Sequence, residues 1–213
     1  MPTQLDKQKD SWILSPVLGA ILFLVLYLVA TFLYPGGSQA NINSIGFSWK
    51  HNYWCNLLNE IAINGQPNPA RPVAMTAMII LCATLTLFWY FLPRYFTIAK
   101  FGKLVIQISS VLTAVVGMLF FTRIDHDVVT NLVSFFGLIA TVATIIALYK
   151  SKWYGLFSFG LFNVLLVALN NFFYYGQDLI VYLPVIQKIS FGSFLIWICS
   201  IQISLYKKGR DTA

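Results

Sequence analysis

Charge is what this sequence has least of. Only 10% of its 213 residues are Asp, Glu, Lys or Arg, against about 25% in a soluble globular domain. Acid is the scarcer sign: there are seven Asp and Glu, of which Glu60 is the sole glutamate, and only two histidines, His51 and His126. A chain that is 58% hydrophobic with so little charge is not a water-soluble domain. Its three cysteines, Cys55, Cys82 and Cys199, show neither a CxxC nor a Cys/His spacing, which excludes a disulfide framework and a zinc finger. Cys82 and Cys199 fall in apolar runs and read as small hydrophobes. GxSxG, the P-loop, HExxH and GxGxxG are absent. So are CxxCH, a paired HxxxH, the charge ladder of a voltage sensor and a TVGYG filter. The formal charge of +7 does not point to nucleic acid, because the basic residues sit in short segments between apolar runs, the pattern that sets membrane topology.

What the chain does have is hydrocarbon-soluble length. Apolar runs over about 12–34, 72–92, 104–121, 128–149, 153–175 and 183–206 match the ~20 residues that cross a ~30 Å hydrocarbon core at about 1.5 Å per residue. Trp12, Tyr34, Trp89, Tyr90, Tyr149, Trp153, Tyr174, Tyr175 and Tyr206 sit near their ends, as interfacial aromatic belts do. The first run is longer than the roughly 7–15 residues of a signal-peptide core, so it is expected to remain as an uncleaved helix. No internal repeat or low-complexity segment is present. The expected fold is therefore all-α: a single six-helix transmembrane domain over 1–213. Fourteen Lys and Arg divide ten to four between the two sides of this layout. The positive-inside rule then places both termini in the cytoplasm of a multi-pass protein of the inner or plasma membrane, with the long loop 35–71 outside.

That loop is the longest segment unsuited to lipid. Trp49, Tyr53, Trp54, Leu57, Leu58 and Ile61 recur at helical spacing, which predicts an amphipathic helix over 48–63. Ser48 serves as its N-cap, and its polar face carries His51, Asn52, Asn56, Asn59 and Glu60. Gly65 to Pro69 stops it with turn residues.

Ionisable groups gather on the same side. Thr122 to Asp127, TRIDHD, is the densest cluster. Asp125 and Asp127 suit the positive end of a helix that starts there, with Arg123 as a salt partner. Alternatively His126 and Asp127 meet His51 and Glu60 in an outward-facing pocket, where two imidazoles and two carboxylates would hold a divalent metal or act as an acid/base pair. Polar residues inside the spans lean the same way: Thr76, Asn131, Ser134, Asn170, Asn171, Gln187, Lys188 and Ser190. Polar groups in lipid are costly unless they face a bundle interior, so together they predict a polar, hydrated cavity opening outward. Interhelical hydrogen bonding is the other account. Asn163 and Asn170 share a face of the fifth span. Gln107, Ser110, Ala114 and Gly117 form a small-residue stripe on the third, which reads as close helix packing.

Tyr34-Pro35-Gly36-Gly37, Gly46-Phe47-Ser48-Trp49, the run from Asn52 to Leu58, Gly65 to Pro69 and the pair His126-Asp127 resemble uncharacterised six-helix bacterial membrane proteins of the DUF998 type. More loosely they resemble the Frag1/DRAM group. The resemblance implies the six-span topology over most of the chain and carries no established catalytic residues. The chain is also similar to membrane hydrolases that place His and Asp at one membrane face. It departs from them in having six spans where they have seven, and in lacking their HxxxH pair.

The function expected from all this is a membrane binding or accessory protein whose outer cavity holds a membrane lipid, a quinone-like molecule or a helix of a partner membrane protein. Ligand contacts would come from Arg123, Asn131, Asn170, Asn171, Gln187 and Lys188. The alternative is a lipid hydrolase or transferase using His51, Glu60, His126 and Asp127, with or without a metal. A small transporter is disfavoured by the lack of repeats and broken helices. No cofactor is indicated.

Overall fold

The computed structural model describes residues 11–96, 98–122, 126–176 and 178–211, apart from the side chains of Ser11, Phe120, Phe121, His126, Asp127, Arg210 and Asp211. Arg123 and Asp125 fall outside the described residues, as do the side chains of His126 and Asp127.

Six helices carry the fold: α1 (Ser15–Leu33), α2 (Arg71–Phe91), α3 (Lys100–Gly117), α4 (His126–Lys150), α5 (Tyr154–Tyr175) and α6 (Leu183–Asp211). With their flanking turns, all six are long and apolar enough to cross a membrane. Pro16 and Pro72 stand in the first turns of α1 and α2, where a fixed φ suits a helix start and the missing N–H costs nothing. α3 begins four residues earlier than expected and stops at Gly117. The stretch Met118–Phe121, expected to continue it, winds instead into a tighter 3-10 turn.

Each helix packs on its neighbours in sequence and α6 returns to α1, so the six form a ring. α1 and α2 touch closely because Gly19 has no side chain: a Cβ there would stand 2.0 Å from Thr84 Oγ1. α4 and α5 are joined by the tightest connection. Lys152, at φ 62, ends α4 in the left-handed conformation. Its N–H reaches Tyr149 O, and the N–H of Trp153 reaches Leu148 O, both at 3.0 Å. This is the Schellman arrangement, with Lys152 where glycine is usual.

The ring has a solid end and a hollow end. At the α4–α5 turn end the buried residues Phe88, Trp89, Leu92, Ile106, Leu148, Trp197, Ile198 and Ile201 form one cluster. Trp89 and Trp197 are satisfied as well as buried: Trp89 Nε1 donates to Thr144 Oγ1 at 3.2 Å and Trp197 Nε1 to Leu156 O at 2.8 Å. At the other end the residues between α1 and α2 fold down onto the ring.

The amphipathic helix expected over 48–63 does not form. Only Trp54–Leu58 is helical, as a 3-10 segment. The reason is asparagine, whose side chain competes with the backbone for hydrogen bonds. Asn52 Oδ1 accepts the N–H of Ser48 (2.8 Å), Asn56 Oδ1 that of Tyr53 (2.7 Å), and Asn52 Nδ2 reaches across to Gly37 O (2.9 Å). Ser48 caps a single turn, its Oγ accepting the His51 N–H at 3.2 Å. Asn68 organises the exit: Nδ2 lies within 3.3 Å of the carbonyls of Asn56, Leu57 and Asn59. Its Oδ1 accepts the N–H of Ala70 at 3.1 Å. Gly37, at φ +82 with Asn64 N only 2.3 Å from where a Cβ would be, lets two loop strands pass. The folded loop buries Leu57 and Ala62 against Phe23, Tyr27, Ala74, Ala77 and Leu81.

Candidate functional site

The loop roofs a cavity of about 370 Å³ inside the ring, within the ~300–1,000 Å³ of small-ligand sites. Trp54 is the centre of the roof. Its ring lies 5.3 Å from that of Tyr27, 5.5 Å from Phe191 and 6.1 Å from Phe23, and its backbone N–H donates to Gln187 Oε1 at 3.1 Å. The floor is Trp89 and Phe194, whose rings are 6.1 Å apart. The walls come from α2 to α6, with Leu81, Leu85, Val133, Leu138, Val164 and Val167 among the apolar contributors. No described lining residue is Asp, Glu, Lys, Arg or His.

Four wall residues are exposed: Thr130, Ser134, Leu138 and Val167. All lie on α4 or α5. The cavity therefore opens sideways between these two helices, at the end away from their tight turn.

Two polar atoms of the wall are buried without a partner: Trp54 Nε1 and Asn163 Oδ1. Asn163 is 3% exposed, near the midpoint of α5, and its Nδ2 is spent on Phe159 O at 2.9 Å. Such groups are rarely left unpaired, since a buried unsatisfied donor or acceptor costs about 1–3 kcal/mol.

Of the expected ligand-binding residues whose side chains are described, Gln187 alone lines the cavity. Gln187 and Lys188 work on the roof. Lys188 Nζ donates to Asn52 O at 2.5 Å and to Pro184 O at 2.8 Å, and lies 5.6 Å from the Phe47 ring centroid. Both residues thus suspend the loop from α6. Asn170 Nδ2 bonds Ser190 Oγ (2.5 Å) and Leu166 O (2.8 Å), tying α5 to α6. Asn131 and Asn171 are exposed on the outside of the ring, Asn171 bonded to Val167 O at 3.0 Å. The polar cavity expected from sequence is in fact mostly apolar-walled, because these amides bond their own helices or face outward.

The expected acid/base residues are not gathered by any described contact. His51 Nδ1 is 3.3 Å from Ser48 Oγ, and Glu60, with its side chain 75% exposed, pairs with Arg71 at 2.8 Å. His126 and Asp127 open α4. Among the described residues, no group of three His, Cys, Asp or Glu could hold a metal.

Sequence reading passed over several wall residues. The stripe on α3 is one: Ser110, Ala114 and Gly117 border the cavity, their small side chains leaving the space as well as admitting Cys82, whose Sγ is 3.1 Å from a Cβ at Gly117. Cys55 is another. It sits in the roof, and burial pushes its thiol from the ordinary 9.0 up to about 11. At pH 8 that leaves roughly a hundredfold less thiolate than an ordinary cysteine would have. Its signal was present, a cysteine in an aromatic run, but only the roof's geometry shows that the run turns inward. No protein-family model, no curated protein and no solved structure matches this chain.

Proposed function

We propose that this is an integral membrane binding protein that takes a lipid-like molecule from the bilayer into the cavity between its six helices. One observation carries the proposal: an apolar-walled cavity of about 370 Å³ whose exposed wall residues all lie on α4 or α5. If α4 and α5 stand in lipid, that opening faces acyl chains and not water, and an apolar molecule can enter without leaving hydrocarbon. In the same proposal the ten-to-four division of Lys and Arg keeps both termini in the cytoplasm and the roof outside. The DUF998-type resemblance belongs here too, as support for the six-span layout. The hydrolase alternative has less behind it, because His51 and Glu60 are engaged with Ser48 and Arg71 and neither lines the cavity.

Protein purified in mild detergent should carry about one lipid-like molecule per chain, read by native mass spectrometry and identified after extraction. A chain that stays empty after incubation with bilayer nanodiscs would end the proposal. Orientation has its own measurement. In intact cells a membrane-impermeant maleimide should label an Ile45→Cys variant, since position 45 is 97% exposed, and leave half-buried Cys55, which lines the roofed cavity, unreacted. Labelling at 45 only after permeabilisation would reverse the topology.

A further inference from the structure

The cavity's hydrogen-bonding pattern narrows what it holds. Resting on the lipid-binding proposal above, we infer that the ligand is an uncharged lipid bearing a hydroxyl group, whose O–H donates to Asn163 Oδ1 in the middle of the bundle.

The Asn163 amide has a fixed sense. Its Nδ2 donates to Phe159 O at 2.9 Å. Exchanging the amide's nitrogen and oxygen would set two acceptor oxygens against each other, so the free atom is Oδ1. That atom can only accept. Among the described residues no wall hydroxyl is bonded to it, and four of them are committed elsewhere. Thr86 donates to Cys82 O at 2.8 Å, Ser110 to Gln107 O at 3.0 Å, Thr113 to Ser109 O at 2.8 Å and Ser190 to Ile186 O at 2.8 Å. Each of these four spends its proton on its own helix, and Ser190 Oγ also accepts from Asn170 Nδ2. The buried atom that the helical wall leaves without a partner is thus an acceptor. The fully buried donor left without a partner, Trp54 Nε1, is in the roof and takes an oxygen.

Charge excludes other lipids. With no described ionisable acid or base in the wall beyond the thiols of Cys55 and Cys82 and the phenol of Tyr27, a phosphate or an ionised carboxylate entering the cavity would lose its hydration and gain no counter-charge. An ester or ether without O–H would leave Asn163 Oδ1 bare. A long-chain alcohol, a monoglyceride and a hydroquinone all satisfy the pattern, since each presents a neutral O–H on an apolar body.

The test uses the full chain in phosphatidylcholine nanodiscs and radiolabelled probes, with empty nanodiscs as background. 1-Dodecanol should bind about tenfold more tightly than dodecyl methyl ether, which keeps the chain and loses only the donor. Dodecyl phosphate should bind no better than the ether. Dodecylhydroquinone should exceed dodecylbenzoquinone by a similar factor, and whichever of alcohol or hydroquinone binds more tightly names the source of the O–H. Asn163→Leu should lower dodecanol binding about tenfold and erase its advantage over the ether. The comparison in the unmodified chain stands even if that variant fails to fold. Equal binding of dodecanol and its ether would overturn the inference while leaving lipid binding intact, since a water held at Asn163 would serve both alike. Tighter binding of dodecyl phosphate would overturn the neutral class. No probe bound above background would overturn the lipid-binding proposal itself.

Discussion

Replacing Gly137 with phenylalanine is expected to empty the cavity without unfolding the protein. Gly137 lies on α4 in the cavity wall, and a Cβ built on it meets no atom within 4 Å. A side chain there grows into space that the folded protein already holds open. A helix interior loses up to about 1 kcal/mol by carrying glycine instead of a side-chain-bearing residue, so the thermal midpoint of the variant should match or exceed that of the parent. A ligand, by contrast, must now displace a phenyl ring or be squeezed against it. Overpacking of that kind costs about 1–3 kcal/mol, which is up to about a hundredfold in affinity. Co-purified lipid should fall from about one molecule per chain to near none, read by the same native mass spectrometry. A variant that keeps its lipid would place the ligand elsewhere on the protein.

The second large effect is expected at Asn68. This side chain is 6% exposed and holds three carbonyls and one N–H of the loop, those of Asn56, Leu57, Asn59 and Ala70. Leucine fills a similar volume and makes none of these bonds. Leaving two or more buried backbone groups unpaired, at about 1–3 kcal/mol each, predicts a loss of about 3–5 kcal/mol. That loss should fall on the loop and not on the helices, whose own hydrogen bonds are untouched. Limited proteolysis should cleave Asn68→Leu between positions 34 and 71 while circular dichroism keeps its helical signal. Because the loop carries Trp54, bound lipid should be lost as well. An uncut loop would mean that the close crossing at Gly37 holds the roof by itself.

The six helices were legible because their signal is summed over twenty or so residues, and one misplaced polar group does not alter the sum. Their ends were less so: α3 lost Met118 to Phe121 to a 3-10 turn and gained Lys100 to Lys103, since a few residues at an end weigh little in hydropathy. The loop misled for a definite reason. Trp54, Leu57 and Leu58 do turn inward, as a helical face would. Helical spacing, however, cannot register that Asn52 and Asn56 satisfy the backbone in its place. The site was half visible. Polar residues do concentrate near the roofed end, but an amide in a helix can spend itself on the carbonyl four residues back, as Asn170 and Asn171 do. Asn163 makes the same bond and still has an oxygen to spare. Nothing in the sequence separates these three asparagines. Only the arrangement of the ring decides which of them meets an empty space.

The way the roof is hung has a consequence for traffic. Gln187 and Lys188 fasten it to α6, and its apolar underside rests on α1 and α2. The slot lies across the ring, between α4 and α5. Doorway and ceiling thus share no hinge. If that slot faces lipid, as the lipid-binding proposal has it, a passenger would come and go by parting two helices near their free ends, keeping the hydrogen bonds overhead and never meeting the aqueous phase.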